Sequence, residues 1–336
     1  MYLFGDPEIW LPLAFAGLMG ASILIYVVLD GFDLGVGVLF PFAEADEKDR
    51  MIASIGPFWD ANETWLVLAI GILLVAFPTA HGTILTALYL PVAIMLIGLI
   101  LRGVSFEFRV KAPAPHKRAW DNAFYIGSMM TSLSQGYMLG LYIMGLQITP
   151  FTLFFACVTA VFLTVAYSFI GATWLILKTD GALQKKAVEW SKGGIWGVVL
   201  GLGAVSLASP WVSPRIFDKW FSMPEVFFLL PLPLMSGALI VLLWIALRRL
   251  PTSDDSFAWF PFAATIVLFV LGFFGMAYSF YPFIVPEQLT IYEAASAPES
   301  LFIILIGTVF VLPMILGYTA LAYTVFRGKA TTLSYD

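Results

Sequence analysis

The chain alternates long apolar runs with short polar breaks. Nine runs approach or exceed the roughly 20 apolar residues that cross the hydrocarbon core of a bilayer. They cover about 9–41, 58–77, 83–103, 121–144, 151–177, 193–211, 225–247, 258–284 and 300–326. Breaker and turn residues separate them: Phe42-Ala43-Glu44, Pro78-Thr79-Ala80-His81-Gly82, Thr149-Pro150, Pro214, Pro251-Thr252-Ser253-Asp254-Asp255 and Pro298-Glu299-Ser300. The pattern predicts an all-α polytopic membrane protein with nine transmembrane helices. No convincing internal repeat is visible, so residues 1–336 are taken as a single transmembrane domain.

Composition supports this class. The 336 residues are 60% hydrophobic and only 12% charged, against roughly 45–50% and 25% in soluble domains. Mean hydropathy is +0.92. The opening MYLFGDPEIW has neither a basic n-region nor a small-residue cleavage site, so no secretory signal is expected. Cys157 is the single cysteine, which excludes an intrachain disulfide; it falls inside an apolar run and is expected to be a buried small hydrophobe.

The net charge of −5 matters less than where the basic residues fall. Lys48 and Arg50 follow the first run; Arg102, Arg109, Lys111, Lys117 and Arg118 the third; Lys178, Lys185, Lys186 and Lys192 the fifth. Arg248 and Arg249 follow the seventh, and Arg327 and Lys329 the ninth. Only Arg215 and Lys219 fall on the other side. Lys and Arg concentrate on the cytoplasmic face, so the N-terminus is expected outside (periplasmic) and the C-terminus inside. Small-residue stripes, Gly193-Gly197-Gly201, Ala16 with Gly20 and Gly17 with Ala21, would let helices approach closely, within this chain or against a second subunit.

Charge inside the apolar runs is the unusual feature. Asp30 and Asp33 lie one turn apart in VVLDGFDLGVG, and Asp60 and Glu63 have the same spacing in WDANETW. Arg102 closes the third run and Glu107 follows it. Five carboxylates and one guanidinium from three consecutive helices are thus expected at one depth, near the cytoplasmic boundary. Two structural readings compete. Pro57 could open the second helix, with Asp60 and Glu63 as first-turn acids favoured by the helix dipole. Asp30-Gly31 could be a helix stop. Against the stop stands the apolar continuation LGVGVLFPF. Ionisable groups within a bilayer usually face a partner or a water path, and proton relays are a standard use. Arg102 is the natural counter-charge. Ser128, Thr131, Ser132, Ser134 and Gln135 cluster in the fourth run, where they serve helix packing, a hydrated path or contact with a quinone headgroup.

Histidine is scarce. His81 and His116 both fall in predicted loops. A membrane haem needs axial ligands at bilayer depth, so a bis-histidine haem is not expected. Met129, Met130 and Met138 remain as candidates whose ordinary role is packing. One cysteine offers no thiolate metal site, and no nucleotide-binding motif is present. The chain is not expected to be catalytic alone.

Leu29-Asp30-Gly31-Phe32-Asp33-Leu34-Gly35-Val36-Gly37 followed by Trp59-Asp60-Ala61-Asn62-Glu63-Thr64-Trp65-Leu66 closely resembles subunit II of cytochrome bd-type quinol oxidases, including the cyanide-insensitive subtype. Tyr281-Pro282-Phe283-Ile284-Val285-Pro286 and Leu289-Thr290-Ile291-Tyr292-Glu293-Ala294-Ala295 are similar to that family's outer loop before the last helix. The resemblance implies a subunit of a bacterial inner-membrane oxidase that takes electrons from quinol and reduces oxygen to water. It places haem b and haem d, and the quinol-oxidising loop, in the partner subunit I. It implies that Asp30, Asp33 and Asp60 line a cytoplasmic proton route; Glu63 and Arg102 are expected on the same path from their charge and depth. A small single-span accessory subunit and a bound quinone would fit such a complex; no motif places either. The histidine that some members carry two residues before the second-motif aspartate is Phe58 here, so no role of that imidazole transfers. No nucleic-acid partner is expected. A free-standing proton-coupled secondary transporter is the alternative; the absence of a repeat weighs against it.

Overall fold

Proline opens most of the long helices. Pro7, Pro78, Pro150, Pro231 and Pro298 each sit in a helical first turn, where a missing N–H costs nothing and φ is already set. The computed structural model describes residues 5–212, 214–252 and 255–330. The start of the MYLFGDPEIW segment and Ser253-Asp254 of the 251–255 break lie outside the described residues.

The helices are α1 (Pro7–Leu39), α2 (Ala45–Ile55), α3 (Trp59–Ala76), α4 (Pro78–Lys111), α5 (Ala114–Ile143), α6 (Pro150–Lys178) and α7 (Gly181–Val212). Then come α8 (Pro214–Phe221), α9 (Glu225–Leu229), α10 (Pro231–Arg249) and α11 (Trp259–Phe280). An antiparallel pair, β1 (Phe283–Val285) and β2 (Leu289–Thr290), leads into α12 (Ile291–Ala294) and α13 (Pro298–Val325). The chain is therefore mostly helical. The 258–284 run is corrected: its helix ends at Phe280, and Phe283–Val285 pairs as a strand instead. The 225–247 run is divided at Leu230, ahead of Pro231.

Eight helices of the described residues are long and apolar enough to cross a membrane. The 121–144 run forms α5, a helix of 30 residues that is not among the eight. Its length suffices; its serines, threonine and glutamine lower its hydropathy.

Four local expectations are corrected. Pro78-Thr79-Ala80-His81 is the first turn of α4, so the expected break is a helix start. His81 and His116 consequently lie in the first turns of α4 and α5. Pro57 stands two residues before α3 rather than opening it. Cys157 is exposed on α6 instead of buried.

α1 is the hub, packed against α3, α5 and α6, while α4–α5–α6–α7 follow as sequential neighbours. Phe32 of α1 stacks on Trp174 of α6 at 4.2 Å. Of the small-residue stripe, Gly197 and Gly201 face Val165 and Phe162 of α6, whereas Gly193 and Gly17 face open space.

The helix ends sort into two groups. At one end, Arg50 bonds Asp180, Lys186 bonds Glu47, Arg109 pairs with Asp49 and Asp121, and Lys178 Nζ caps the carbonyls of Phe326 and Gly328. At the other, Ser296 donates to the Val75 carbonyl, Gln288 to Gly145, Tyr142 to Ile284, and Arg215 pairs with Glu287.

Candidate functional site: a buried carboxylate–guanidinium cluster

α1 does not stop at Asp30-Gly31; it runs on to Leu39. Asp30 and Asp33 are therefore mid-helix acids. With Tyr26 they occupy positions i, i+4 and i+7, one face of the helix. Both aspartates are fully buried, at 0% exposure.

Arg102 of α4 meets them from across the bundle. Its Nη2 lies 2.6 Å from Asp30 Oδ1 and 2.5 Å from Glu63 Oε1 of α3. The Glu63 contact has hydrogen-bond geometry. The Asp30 contact is an ion pair only: both Asp30 oxygens, and Arg102 Nε and Nη1, lack hydrogen-bond partners. Close helix packing delivers Arg102 here. A Cβ on Gly127 of α5 would come within 2.7 Å of the Arg102 backbone nitrogen, so glycine is what lets α5 seat against α4.

Asp33 has a different shell. Its Oδ2 accepts from Asn62 Nδ2 at 2.8 Å, and the same nitrogen lies 3.2 Å from the Leu29 carbonyl. Asn62 Oδ1 accepts from the Tyr323 hydroxyl of α13 at 3.1 Å. Asp33 Oδ1 is buried without a partner.

On the other flank, Tyr167 of α6 donates to Gln135 Oε1 of α5 at 2.7 Å, and Gln135 Nε2 donates to Tyr26 at 2.6 Å. The polar residues of α5 therefore divide. Ser128 and Ser132 bond back to their own helix carbonyls, Thr131 Oγ1 is buried and unpartnered, and Gln135 joins the seam beside the acids.

Of the expected residues, Asp30, Asp33, Glu63 and Arg102 come together. Asp60 lies in the exposed first turn of α3, as a first-turn acid should. Glu107 is exposed and 4.0 Å from Lys111, so it does not join the cluster. Asn62, Tyr26, Tyr167 and Tyr323 had not been singled out. Asn62 lies inside the quoted WDANETW and Tyr26 one turn before Asp30; Tyr167 and Tyr323 are brought in by packing alone.

Below the cluster a second ionic layer ties α2, α4 and α5 together. Arg109 Nη1 lies 2.7 Å from Asp49 and its Nε 2.6 Å from Asp121. At the surface, the Arg50 hydrogen bond holds the Asp180 carboxyl below its ordinary range, and the Glu47 hydrogen bond holds the Lys186 ammonium above its own.

The two histidines do not make a bis-histidine haem site. They lie in the first turns of different helices, His81 in α4 and His116 in α5, with about 45 Å of α4 between them in the chain at 1.5 Å per residue. Among the described residues, no group of three or more His, Cys, Asp or Glu could hold a metal ion.

The family model for cytochrome bd terminal oxidase subunit II matches residues 11–326. The chain is 28% identical to the cytochrome bd ubiquinol oxidase subunit 2 of Bacillus subtilis (strain 168), covering 91% of this chain and 93% of that one. It is 27% identical to the cytochrome bd-I ubiquinol oxidase subunit 2 of Escherichia coli (strain K12), covering 94% and 93%. In fold it is similar to the bd oxidase from Geobacillus thermodenitrificans, with a TM-score of 0.77 at 16% identity over 95% of this chain and 99% of that chain. The chain belongs to the family of subunit II of cytochrome bd terminal oxidases.

Proposed function

We propose that this chain is the haem-free subunit II of a quinol:oxygen oxidoreductase complex in a bacterial inner membrane, where it stabilises the haem-bearing subunit I and lines a cytoplasmic proton route. The observation that carries the route is a gradient of exposure through one set of acids. Asp60 is exposed, the Glu63 side chain is 29% exposed, and Asp30 and Asp33 are 0% exposed. Three carboxylates surround one guanidinium in the inner part of the cluster. A carboxyl group both donates and accepts according to its state. Buried polar atoms without a hydrogen-bond partner, here on Asp30, Asp33 and Arg102, are the kind that ordered water serves.

Nine crossings with the N-terminus outside fit the two groups of helix ends. One end gathers residues 47–50, 109–121, 178–186 and 326–330; the other gathers 75, 145, 215, 284–288 and 296. That alternation needs α5 as a crossing helix. The first set carries 11 of the 17 basic residues and the second only Arg215, the bias a cytoplasmic face shows.

A partner fits the exposed surface. Only 6% of the most apolar window of α13 is buried within this chain. In the complex, the haems of subunit I supply the redox chemistry of oxygen reduction; this chain's acids deliver protons. Purification through a tag on this chain, with a visible spectrum, tests the assignment. Co-purifying haem with quinol-driven oxygen consumption is expected, and the chain expressed alone is expected to show no stoichiometric haem by pyridine haemochrome. A stable, monodisperse, haem-free monomer from cells carrying both subunits would contradict it.

A further inference from the structure

The geometry points to Tyr323 as a positioning residue for the buried acid Asp33, acting through Asn62 and leaving Asp33 Oδ1 as the oxygen on which the proton is exchanged. This rests on the proton-route reading and adds a residue which that reading does not use.

Tyr323 stands two residues before the end of α13. Its ring stacks on Phe58 at 4.5 Å and meets Trp174 edge-on at 6.2 Å. The chain just beyond is held: Lys178 Nζ caps the carbonyls of Phe326 at 2.5 Å and Gly328 at 3.0 Å, and the Ala330 amide donates to the Lys178 carbonyl at 2.7 Å. The hydroxyl is thereby fixed over α3.

An amide side chain has one accepting and one donating prong. The Leu29 carbonyl accepts only, so it selects the Asn62 orientation with Nδ2 inward, 3.2 Å away. Tyr323 supplies the donor to the outward Oδ1 at 3.1 Å. With both prongs bonded, Asn62 is held in one plane and presents Nδ2 to Asp33 Oδ2 at 2.8 Å. An amide donates without titrating here, so Oδ2 is occupied by a fixed donor. Oδ1, buried and unpartnered, is the edge left for proton exchange. The charged and titratable groups facing Asp33 are Asp30 on its own helix, Glu63 on α3, Arg102 on α4 and Tyr323 on α13. Asn62 is the neutral member among them.

The test uses the complete oxidase complex. Tyr323→Phe keeps the ring on Phe58 and removes only the hydroxyl; Asn62→Ala breaks the same link at its other end. Thr324→Val is the control, because that hydroxyl bonds its own helix at the Ala320 carbonyl, 2.7 Å away. Oxygen consumption is followed against pH, with the haem spectrum recorded for each variant. The expected result is a pH profile displaced by roughly half a unit or more in Tyr323→Phe and Asn62→Ala. Thr324→Val stays at wild type, and Tyr323→Phe adds nothing in an Asp33→Asn background. A wild-type profile in Tyr323→Phe and Asn62→Ala, with turnover lowered by Asp33→Asn, overturns the positioning role and leaves the proton route standing. A silent Asp33→Asn overturns both. Loss of the haem spectrum in Tyr323→Phe and Asn62→Ala, but not in Asp33→Asn or Thr324→Val, makes the pair structural and also overturns the proposal.

Discussion

Gly35 of α1 lies directly against Gly171 of α6, close enough that a Cβ on Gly171 would sit 2.6 Å from the Gly35 carbonyl carbon. A Cβ on Gly35 would overlap the Tyr167 carbonyl oxygen. Backbone contact at this crossing sets the depth at which the acid-bearing turns of α1 meet the rest of the bundle. Small residues serve this purpose in lipid, where no hydrophobic force drives helices together.

Gly35→Ala should therefore damage the fold and the cluster together. The overlap is with backbone, so α1 must move, at a cost of about 1–3 kcal/mol or more. The measurement is the amount of complex recovered from membranes and its thermal midpoint. The open Gly17 position provides the comparison: Gly17→Ala, with nothing within 4 Å, is expected to leave both unchanged.

Arg102 holds two carboxylates with one nitrogen, and Asp30 is its fully buried partner. Arg102→Leu leaves that charge without compensation, a loss of about 3–5 kcal/mol for a buried pair. Asp30→Asn in the Arg102→Leu background should recover part of it, since the double change removes the orphaned charge. A double-mutant cycle on thermal stability reads the coupling; strict additivity would mean that the two side chains do not interact.

Gln135 bridges Tyr26 and Tyr167. Gln135→Leu strands the buried Tyr167 hydroxyl, which costs about 1–3 kcal/mol when unsatisfied, and removes a donor from Tyr26. A melt lowered relative to wild type is expected, whereas Ser134→Ala on the same helix should stay close to it.

Which of these features were legible from residues alone has a physical answer. Apolar run length marks the long helices, because crossing a bilayer demands about 20 apolar residues. The acids of α1 and α3 and the guanidinium of α4 stood out because charge is rare in such runs. Pro78 misled: read as a breaker, it instead opens α4. Cys157 faces outward because lipid accepts a thiol as readily as a protein core does. Tyr323 was invisible, since its bond to Asn62 spans 261 residues of chain and neither side chain carries charge. Asp60, chosen for its spacing, proved to be the exposed member of the set.

The surface pairs give the pH dependence its sign. The Arg50 hydrogen bond depresses Asp180, so its contribution is present above the ordinary aspartate range and lost as pH falls through the depressed value. Glu47 raises Lys186, so that contribution is complete below the ordinary lysine range and lost as pH climbs through the raised value. Both pairs tie α2 to the α6–α7 corner. Hydrogen exchange in α2 should be slowest near neutral pH and quicken, after correction for intrinsic rates, at both extremes. Glu47→Gln should remove only the alkaline limb.

The central claim is that the buried acids carry protons from the cytoplasm to the site of oxygen reduction. Quinol-driven oxygen consumption by the purified complex carrying Asp33→Asn tests it most directly, because the change preserves size, removes the titrating group and lies at a fully buried position. The account predicts turnover lowered at least several-fold with an unchanged haem spectrum, and a smaller loss for Asp60→Asn at the exposed mouth. Full activity with Asp33→Asn and Asp60→Asn combined would contradict it.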